Sequence, residues 1–169
     1  MSADFCIGYK RFLSCKKDGD DNVVSIYEKD SQKCITMPVH RWAKFVQRMR
    51  YFDAQLETAQ RGETVVNLHS HIGGTLFVSI NSSLTDVVLI DFRDFYMNKN
   101  NCLRPTRRGI SLLYKEWQKL KTCVDRFAKE NECVGNAEPC SPEYGHANQE
   151  WGLSCPECNP PAFSTEYVS

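Results

Sequence analysis

The sequence predicts an α+β protein built from two tandem repeats, each with several strands followed by one helix. Three pairs of segments support this prediction, because they match in the same order in both halves of the chain. Residues 7–14 match 72–79, residues 22–26 match 86–90, and residues 34–45 match 109–120. The offsets are 65, 64 and 75 residues, so the second copy has about eleven extra residues before its third segment.

In the first repeat, residues 5–17 are rich in β-forming side chains and alternate loosely, which predicts a strand. An acidic turn cluster at 18–22 leads to a second strand over 23–29, and 33–37 forms a short third strand. A helix begins near Pro38, since proline is tolerated in the first helical turn. The apolar stripe of this helix consists of Trp42, Phe45, Val46, Met49 and Leu56.

In the second repeat, strands are predicted over 65–80, with an interruption at Gly73–Gly74, over 87–97 and over 109–112. A helix over 114–129 carries Trp117, Leu120, Val124 and Phe127 on its inner face. Both Trp42 and Trp117 are expected in the core. A unit of about sixty residues buries little surface by itself, so the repeats are expected to pair side by side as an intramolecular pseudo-dimer.

The formal net charge of zero is the sum of two unlike parts of the chain. Residues 1–129 hold all 21 basic and 14 acidic residues, whereas residues 130–169 hold seven acidic residues and no Lys or Arg. A basic globular part with an acidic tail is typical of proteins that bind polyanions. A solvated surface with a soluble tail is the alternative. We assign repeats to 1–61 and 62–130, and a flexible, Cys-containing acidic tail to 131–169.

The remaining composition excludes several classes of protein. No run of apolar residues is long enough for a membrane-spanning helix, and we expect no signal peptide and no contact with a membrane. The chain has nine cysteines, an odd number, which favours a reducing compartment over a disulfide framework. No nucleophile–base pattern or phosphate-binding glycine loop stands out, so we expect no enzymatic activity and no catalytic residues.

Three motifs of the second repeat resemble the positive cofactor four family of transcriptional coactivators. They are Ile90-Asp91-Phe92-Arg93-Asp94-Phe95, Arg104-Pro105-Thr106-Arg107-Arg108-Gly109-Ile110-Ser111-Leu112, and Glu116-Trp117-Gln118-Lys119-Leu120-Lys121. The resemblance extends from about residue 70 to 122. The first repeat retains the first-strand pattern and the Trp42 helix, but Lys33-Cys34 stands in place of Arg108-Gly109, so it resembles a degenerate copy.

The resemblance implies a curved four-stranded antiparallel sheet with a C-terminal helix, and pairing of two such domains through their helices. It also implies grooves that bind single-stranded or melted DNA with little sequence preference. Here the two repeats would build that pair within one chain, with a homodimer through the second repeat as the alternative. Melted duplex or RNA are further candidate ligands.

Binding of a single strand needs cations along the backbone and aromatic side chains on which bases stack. By the resemblance, Arg93 and Tyr96 face the ligand, and a basic stretch precedes the third strand. The candidate residues are Arg93, Tyr96, Lys99, Arg104, Arg107 and Arg108 in the second repeat, and Lys10, Arg11, Lys16, Lys17 and Lys29 in the first, with Tyr9 and Phe12 nearby.

The tail contains the residues of a candidate zinc site. Cys155 and Cys158 form a Cys-x-x-Cys pair, which is half of a common structural zinc site, and the other candidate ligands are Cys133, Cys140 and His146. The alternative is a disordered acidic tail without metal. Such a tail could fold onto the basic grooves and compete with DNA, or recruit a partner.

The sequence therefore predicts a non-enzymatic protein that binds single-stranded DNA and acts in transcription, with replication or repair as further settings. The expected partners are single-stranded DNA and proteins of the transcription machinery, and the expected location is the nucleus. One alternative is an adaptor that docks acidic segments of the transcription machinery. Another is a viral protein that protects single strands in the nucleus or cytoplasm of an infected cell.

Overall fold

Two four-stranded antiparallel sheets, one in each half of the chain, organise the fold in a computed structural model. The structure describes residues 4–63, 69–82, 87–140, 155, 157 and 158. The first sheet has the order β1 (Phe5–Gly8), β2 (Arg11–Asp18), β3 (Asp21–Glu28) and β4 (Cys34–Pro38). The second has the order β5 (Ser70–Gly73), β6 (Leu76–Ser82), β7 (Val88–Met97) and β8 (Leu103–Leu113). The predicted α+β fold with two tandem repeats is confirmed.

Each sheet is followed by helix. The first leads into α1 (Val39–Gln47) and α2 (Met49–Gln60), and the second into α3 (Tyr114–Glu130) and the short α4 (Glu132–Gly135). The single helix predicted after β4 is two helices, because Arg48 has a φ of −98° and a ψ of 6°, which interrupts the helical backbone. None of the described helices is long and apolar enough to cross a membrane.

The strand register shows how the two repeats correspond. The β1–β2 and β5–β6 pairs both shift register at equivalent places, between Cys6 and Gly8 and between His71 and Gly73, which confirms the offset of 65. In the next pair, Leu13 faces Ile26 whereas Val78 faces Phe92, so the second offset is 66 and not 64. A slip of two residues preserves the alternation of a strand, so the apolar pattern alone cannot detect it.

The third offset of 75 holds, since Ile26 faces Ile35 as Phe92 faces Ile110. The second repeat thus gains nine residues between its last two strands. They extend β7 and β8 into a long hairpin, so the third strand of this repeat begins at Leu103 and not at 109. In the first repeat the long first strand of the prediction is a hairpin of two strands, and in the second the interruption predicted at Gly73–Gly74 is the turn of the corresponding hairpin. The turn in the first repeat contains Lys10, which has a φ of 57°.

Helices from both repeats share one apolar core. Phe45 of α1 lies at its centre, with ring centroids 5.3 Å from Trp42, 5.1 Å from Phe92 and 6.0 Å from Trp117. In addition, Phe5 of β1 packs edge-on against Phe127 of α3 at 5.5 Å, so the helix of the second repeat covers the sheet of the first. Both tryptophans lie in this core, and the repeats form the expected intramolecular pseudo-dimer.

Polar contacts also join the repeats. Asp53 of α2 contacts two residues of α3. It accepts a hydrogen bond from the Trp117 indole at 2.9 Å and forms an ion pair with Lys121 at 2.7 Å. Arg11 of β2 pairs with Glu28 at 3.1 Å and with Glu116 of α3 at 3.6 Å, and donates to the Ser111 carbonyl. These contacts fix the helices of one repeat against the elements of the other.

The beginning of the acidic tail belongs to the folded unit. Val134 of α4 is buried, and Asn131 donates its side-chain amide to the carbonyl of Phe127 at 3.0 Å. α4 packs against both α1 and α3. The tail was expected to be flexible from residue 131, but its first residues are held because their apolar side chains complete the core.

Removal of the Asp53 carboxylate should destabilise the protein in a pH-dependent manner. Burial alone raises the pKa of Asp53, but hydrogen bonds from Lys121 and Trp117 outweigh it and lower the pKa below the ordinary value of 3.8. A lowered pKa means stabilisation that is present above pH 3.8 and is lost as the pH falls below it. We expect Asp53→Ala to lower the free energy of unfolding by about 1 kcal/mol at pH 7.

Chemical denaturation at pH 7 and pH 3 measures this effect, and the deficit of Asp53→Ala should shrink at pH 3. Asp125→Ala, at an exposed position of α3, is the control and should change stability by less than about 0.5 kcal/mol. An equal deficit at both pH values would contradict the assignment of the effect to this ionised carboxylate.

Candidate nucleic-acid interface

The face of the second sheet that points away from the helices has a fixed polar centre. Arg93 of β7 donates to both carboxylate oxygens of Asp91, at 3.0 and 3.1 Å, and to the carbonyl of Thr106 at 2.9 Å. The Ser111 hydroxyl donates to Asp91 at 2.6 Å. Asp91 is buried and is satisfied by these donors, so the Arg93 guanidinium is held flat over the sheet.

Gly109 makes room for this arrangement. A Cβ at this position would lie 2.6 Å from the Phe92 carbonyl oxygen and 2.8 Å from the Arg93 Cζ. A residue with a side chain would therefore displace Arg93 or push β8 away from β7. The glycine of the Arg-Arg-Gly motif is therefore needed because the Arg93 side chain packs closely against it, and not because the backbone turns there.

Beside Arg93, aromatic rings line a shallow cavity on the same face. Phe77 and Phe95 pack with ring centroids 4.9 Å apart, and the His69 ring lies 4.9 Å from Phe95. The cavity has a volume of about 430 Å³, and its lining includes His69, Asn81, Arg93, Phe95, Arg104 and Pro105. Leu103, Arg104 and Pro105 in its lining belong to the long β7–β8 hairpin.

The hairpin carries an exposed aromatic side chain and a cation side by side. Tyr96 and Arg104 are directly opposed on β7 and β8, so their side chains share one face, and Tyr96 is 50% exposed. Lys99 is exposed in the turn. The Asn98 side chain shapes this turn by accepting the backbone N–H groups of Asn100 and Cys102, each at 2.9 Å.

Arg107 and Arg108 lie where the two sheets meet. A register shift between Arg93 and Phe95 places Asp94 beside Arg108, which forms an ion pair with it at 3.3 Å. Both arginines are exposed, and with Gln32, Cys34 and Thr36 of the first repeat they line a groove of about 440 Å³. The basic stretch therefore borders β4, and the outer faces of the two sheets are connected there.

The corresponding face of the first repeat is aromatic. By the corrected register, Tyr27 stands at the position of Arg93 and Cys34 at the position of Gly109. Tyr27 stacks on Phe12 with ring centroids 5.6 Å apart, and the Lys16 ammonium lies 5.4 Å from the Tyr27 ring. The repeat that has no glycine at this position also has no arginine opposite it.

Sequence reasoning missed Tyr27, because the offset of 64 paired the wrong residues of β3 and β7. The signal that identifies it is the pairing of Phe12 with Tyr27 and of Phe77 with Arg93. The other candidates of the first repeat are dispersed. Lys17 and Lys29 are exposed, and Lys10 lies 4.0 Å from Asp30 and 5.6 Å from the Tyr9 ring. Arg11 faces the second repeat and not the outer surface.

The structure brings together three of the four cysteines of the predicted zinc set. Cys140, Cys155 and Cys158 lie together, whereas the Cys133 sulfur is 3.4 Å from that of Cys15 on β2. Cys133 is separated from the others because α4 holds it against the first sheet. His146 lies outside the described residues. Of the described tail residues, Glu157 contacts Arg41 and the β5–β6 turn and not the basic hairpin.

Comparison with known proteins finds a family that the second repeat resembles. Residues 70–123 match the family model of the Transcriptional Coactivator p15 (PC4), a span that covers all four strands of the second sheet and part of α3. The first repeat lies outside this match. No curated protein matches the chain. The resemblance noted from the three motifs is thus confirmed for residues 70–123, which are similar to the transcriptional coactivator p15 (PC4) family.

Proposed function

We propose that this protein binds single-stranded or melted DNA with little base preference and acts in transcription in the nucleus, without catalysing a reaction. The observation that supports this most is the directly opposed pair of exposed Tyr96 and Arg104 on the long hairpin of the family-matching sheet. A base can stack on the tyrosine ring while the guanidinium contacts the adjacent phosphate.

Cations that are not already paired would supply most of the attraction for phosphates. Among the described residues, no carboxylate lies within 4.0 Å of Lys99, Arg104 or Arg107. Arg93 and Arg108, by contrast, are paired with Asp91 and Asp94. We assign Arg93 to shaping the sheet surface and Lys99, Arg104 and Arg107 to the phosphate backbone.

The groove between the sheets supports a ligand path that covers both repeats. It runs from Arg107 and Arg108 past Thr36 of β4, and the stacked Phe12–Tyr27 pair with Lys16 lies on the same outer face of the first sheet. A strand on this path would meet Tyr96 and arginines in one repeat and Tyr27 and lysines in the other. Partner proteins of the transcription machinery remain a prediction.

Affinity for a single strand should exceed affinity for the duplex and should fall steeply with salt. Fluorescence anisotropy with a labelled strand of about twenty nucleotides, and with the matching duplex, measures both. If about five phosphates are contacted, the slope of log affinity against log salt is about −3.5. An affinity that does not change with salt would contradict the proposal. Absence of binding to either DNA would favour the adaptor alternative.

Truncation of Tyr96 should weaken binding to the single strand without changing the salt slope. Loss of one stacked base costs about 1–3 kcal/mol, so Tyr96→Ala should raise the Kd by about 5- to 150-fold. Tyr51→Ala is the control, because Tyr51 is 41% exposed but lies on α2, and its Kd should be unchanged. Arg104→Ala should instead reduce the salt slope by about 0.7. Equal effects of Tyr96→Ala and Tyr51→Ala would exclude Tyr96 as the stacking platform.

A side chain at Gly109 should destabilise the second sheet. Gly109→Ala places a Cβ against the Phe92 carbonyl and Arg93, and overpacking of this kind costs about 1–3 kcal/mol. Cys34→Ala is the matched control, since this equivalent position of the first repeat already holds a Cβ, and it should cost less than about 0.5 kcal/mol. Urea denaturation measures both. If Gly109→Ala left the free energy of unfolding unchanged, the strands could move apart without cost, which would contradict the close packing inferred at this position.

A further inference from the structure

Cys140 meets the Cys155–Cys158 pair, which lies fifteen positions further along the chain, at the end of the described tail. The sulfur atoms of Cys140, Cys155 and Cys158 all lie within 4.8 Å of one another, and those of Cys140 and Cys155 are 3.2 Å apart. A disulfide requires about 2.05 Å, whereas two thiolates on one tetrahedral zinc at 2.3 Å are separated by about 3.8 Å. Small movements would therefore bring all three sulfurs to zinc-ligand distances.

Backbone N–H groups point at the sulfur of Cys155, the first cysteine of the Cys-x-x-Cys pair. The backbone N–H groups of Cys158 and Glu157 donate to the Cys155 sulfur. Backbone donors aimed at a sulfur stabilise the thiolate, which is the form that binds metal.

Between these two cysteines, Glu157 is anchored to the folded domain. It accepts two hydrogen bonds from Arg41 of α1, at 2.6 and 2.8 Å, and its carbonyl accepts the Gly74 N–H at 2.7 Å. A Cβ on Gly73 would lie 2.1 Å from the Glu157 Oε1, and a Cβ on Gly74 would lie 2.2 Å from the Arg41 Nη2. The two glycines of the β5–β6 turn leave the space in which this ion pair sits.

The pseudo-symmetry of the fold explains why a carboxylate is needed there. At the offset of 75, Arg41 before Trp42 corresponds to Glu116 before Trp117. Glu116 pairs with Arg11 of the opposite repeat. Arg41 faces the equivalent turn of the other repeat, and the carboxylate that it pairs with comes from the tail.

We propose that Cys140, Cys155 and Cys158 bind one Zn²⁺ ion, and that this ion pins the Glu157 segment onto Arg41 and the β5–β6 turn. The ion would close the loop between Cys140 and Cys155, which are fifteen positions apart, and offset the entropy of that closure. The described residues supply three ligands, and a water or a further donor completes the tetrahedron. Cys133 is not a ligand.

Metal analysis of the full chain, purified under reducing conditions without chelator, tests the binding site. We expect about one zinc per chain in the wild type, and at most about a tenth of that in Cys155→Ser and in Cys158→Ser. Cys133→Ser and the exposed Cys102→Ser are controls and should retain the metal. A zinc-free wild type, zinc retained in Cys155→Ser, or zinc lost equally in Cys133→Ser would overturn the proposal.

Two further measurements test the sulfur ligands and the pinning of the tail separately. Cobalt in place of zinc should give thiolate-to-cobalt charge-transfer absorption that Cys155→Ser abolishes, and a spectrum unaffected by this substitution overturns the three-sulfur site. Removal of zinc with a chelator should speed amide exchange at Gly74 at least tenfold, as should Glu157→Gln. Unchanged exchange at Gly74 after zinc removal overturns the pinning role. A Cys140–Cys155 disulfide in the purified protein overturns the zinc site.

Discussion

The whole structure depends on the exchange of helices between two sheets that cannot be covered within their own repeats. A four-stranded sheet with one helix leaves much of its apolar face open, and each repeat is too small to compensate elsewhere. Here Phe45 bridges to Phe92 and Trp117, while Phe127 reaches Phe5 in the opposite direction. Because the helices cover the apolar face of each sheet in this way, the opposite, outer faces of both sheets remain available for polar and aromatic groups.

The two outer faces differ from each other in a physically coupled way. In the second repeat a glycine in β8 allows an arginine to lie flat and pair with Asp91. In the first repeat Cys34 occupies the glycine position, Tyr27 replaces the arginine, and a Ser25–Thr36 hydrogen bond of 2.9 Å replaces the charged centre. The residues of each set fit one another. A side chain at Gly109 alone would clash with Arg93, and loss of Arg93 alone would leave the buried Asp91 without its ion-pair partner.

The sequence was sufficient to predict the strand content, the repeat, the core tryptophans and the family of the second repeat, because these follow from periodicity and from motifs of fixed spacing. The corrected offset, and with it Tyr27, required the hydrogen-bonded register, which a period of two leaves ambiguous. Arg11 was expected among the ligand-facing cations because it is basic and near the first strand, but its partner Glu116 is 105 positions away. The separation of Cys133 from the other tail cysteines has the same origin, since packing of α4 decides it.

The covalent connection of the two repeats has a consequence for their pairing. In a homodimer of separate domains, the fraction of paired sheets follows mass action and falls on dilution. In this chain α2 ends at Gln60 and β5 begins at Ser70, so one short connection keeps the partner repeat at a fixed, high effective concentration. The paired architecture, and the continuous outer surface that it creates, therefore persist at any protein concentration, however scarce the protein is.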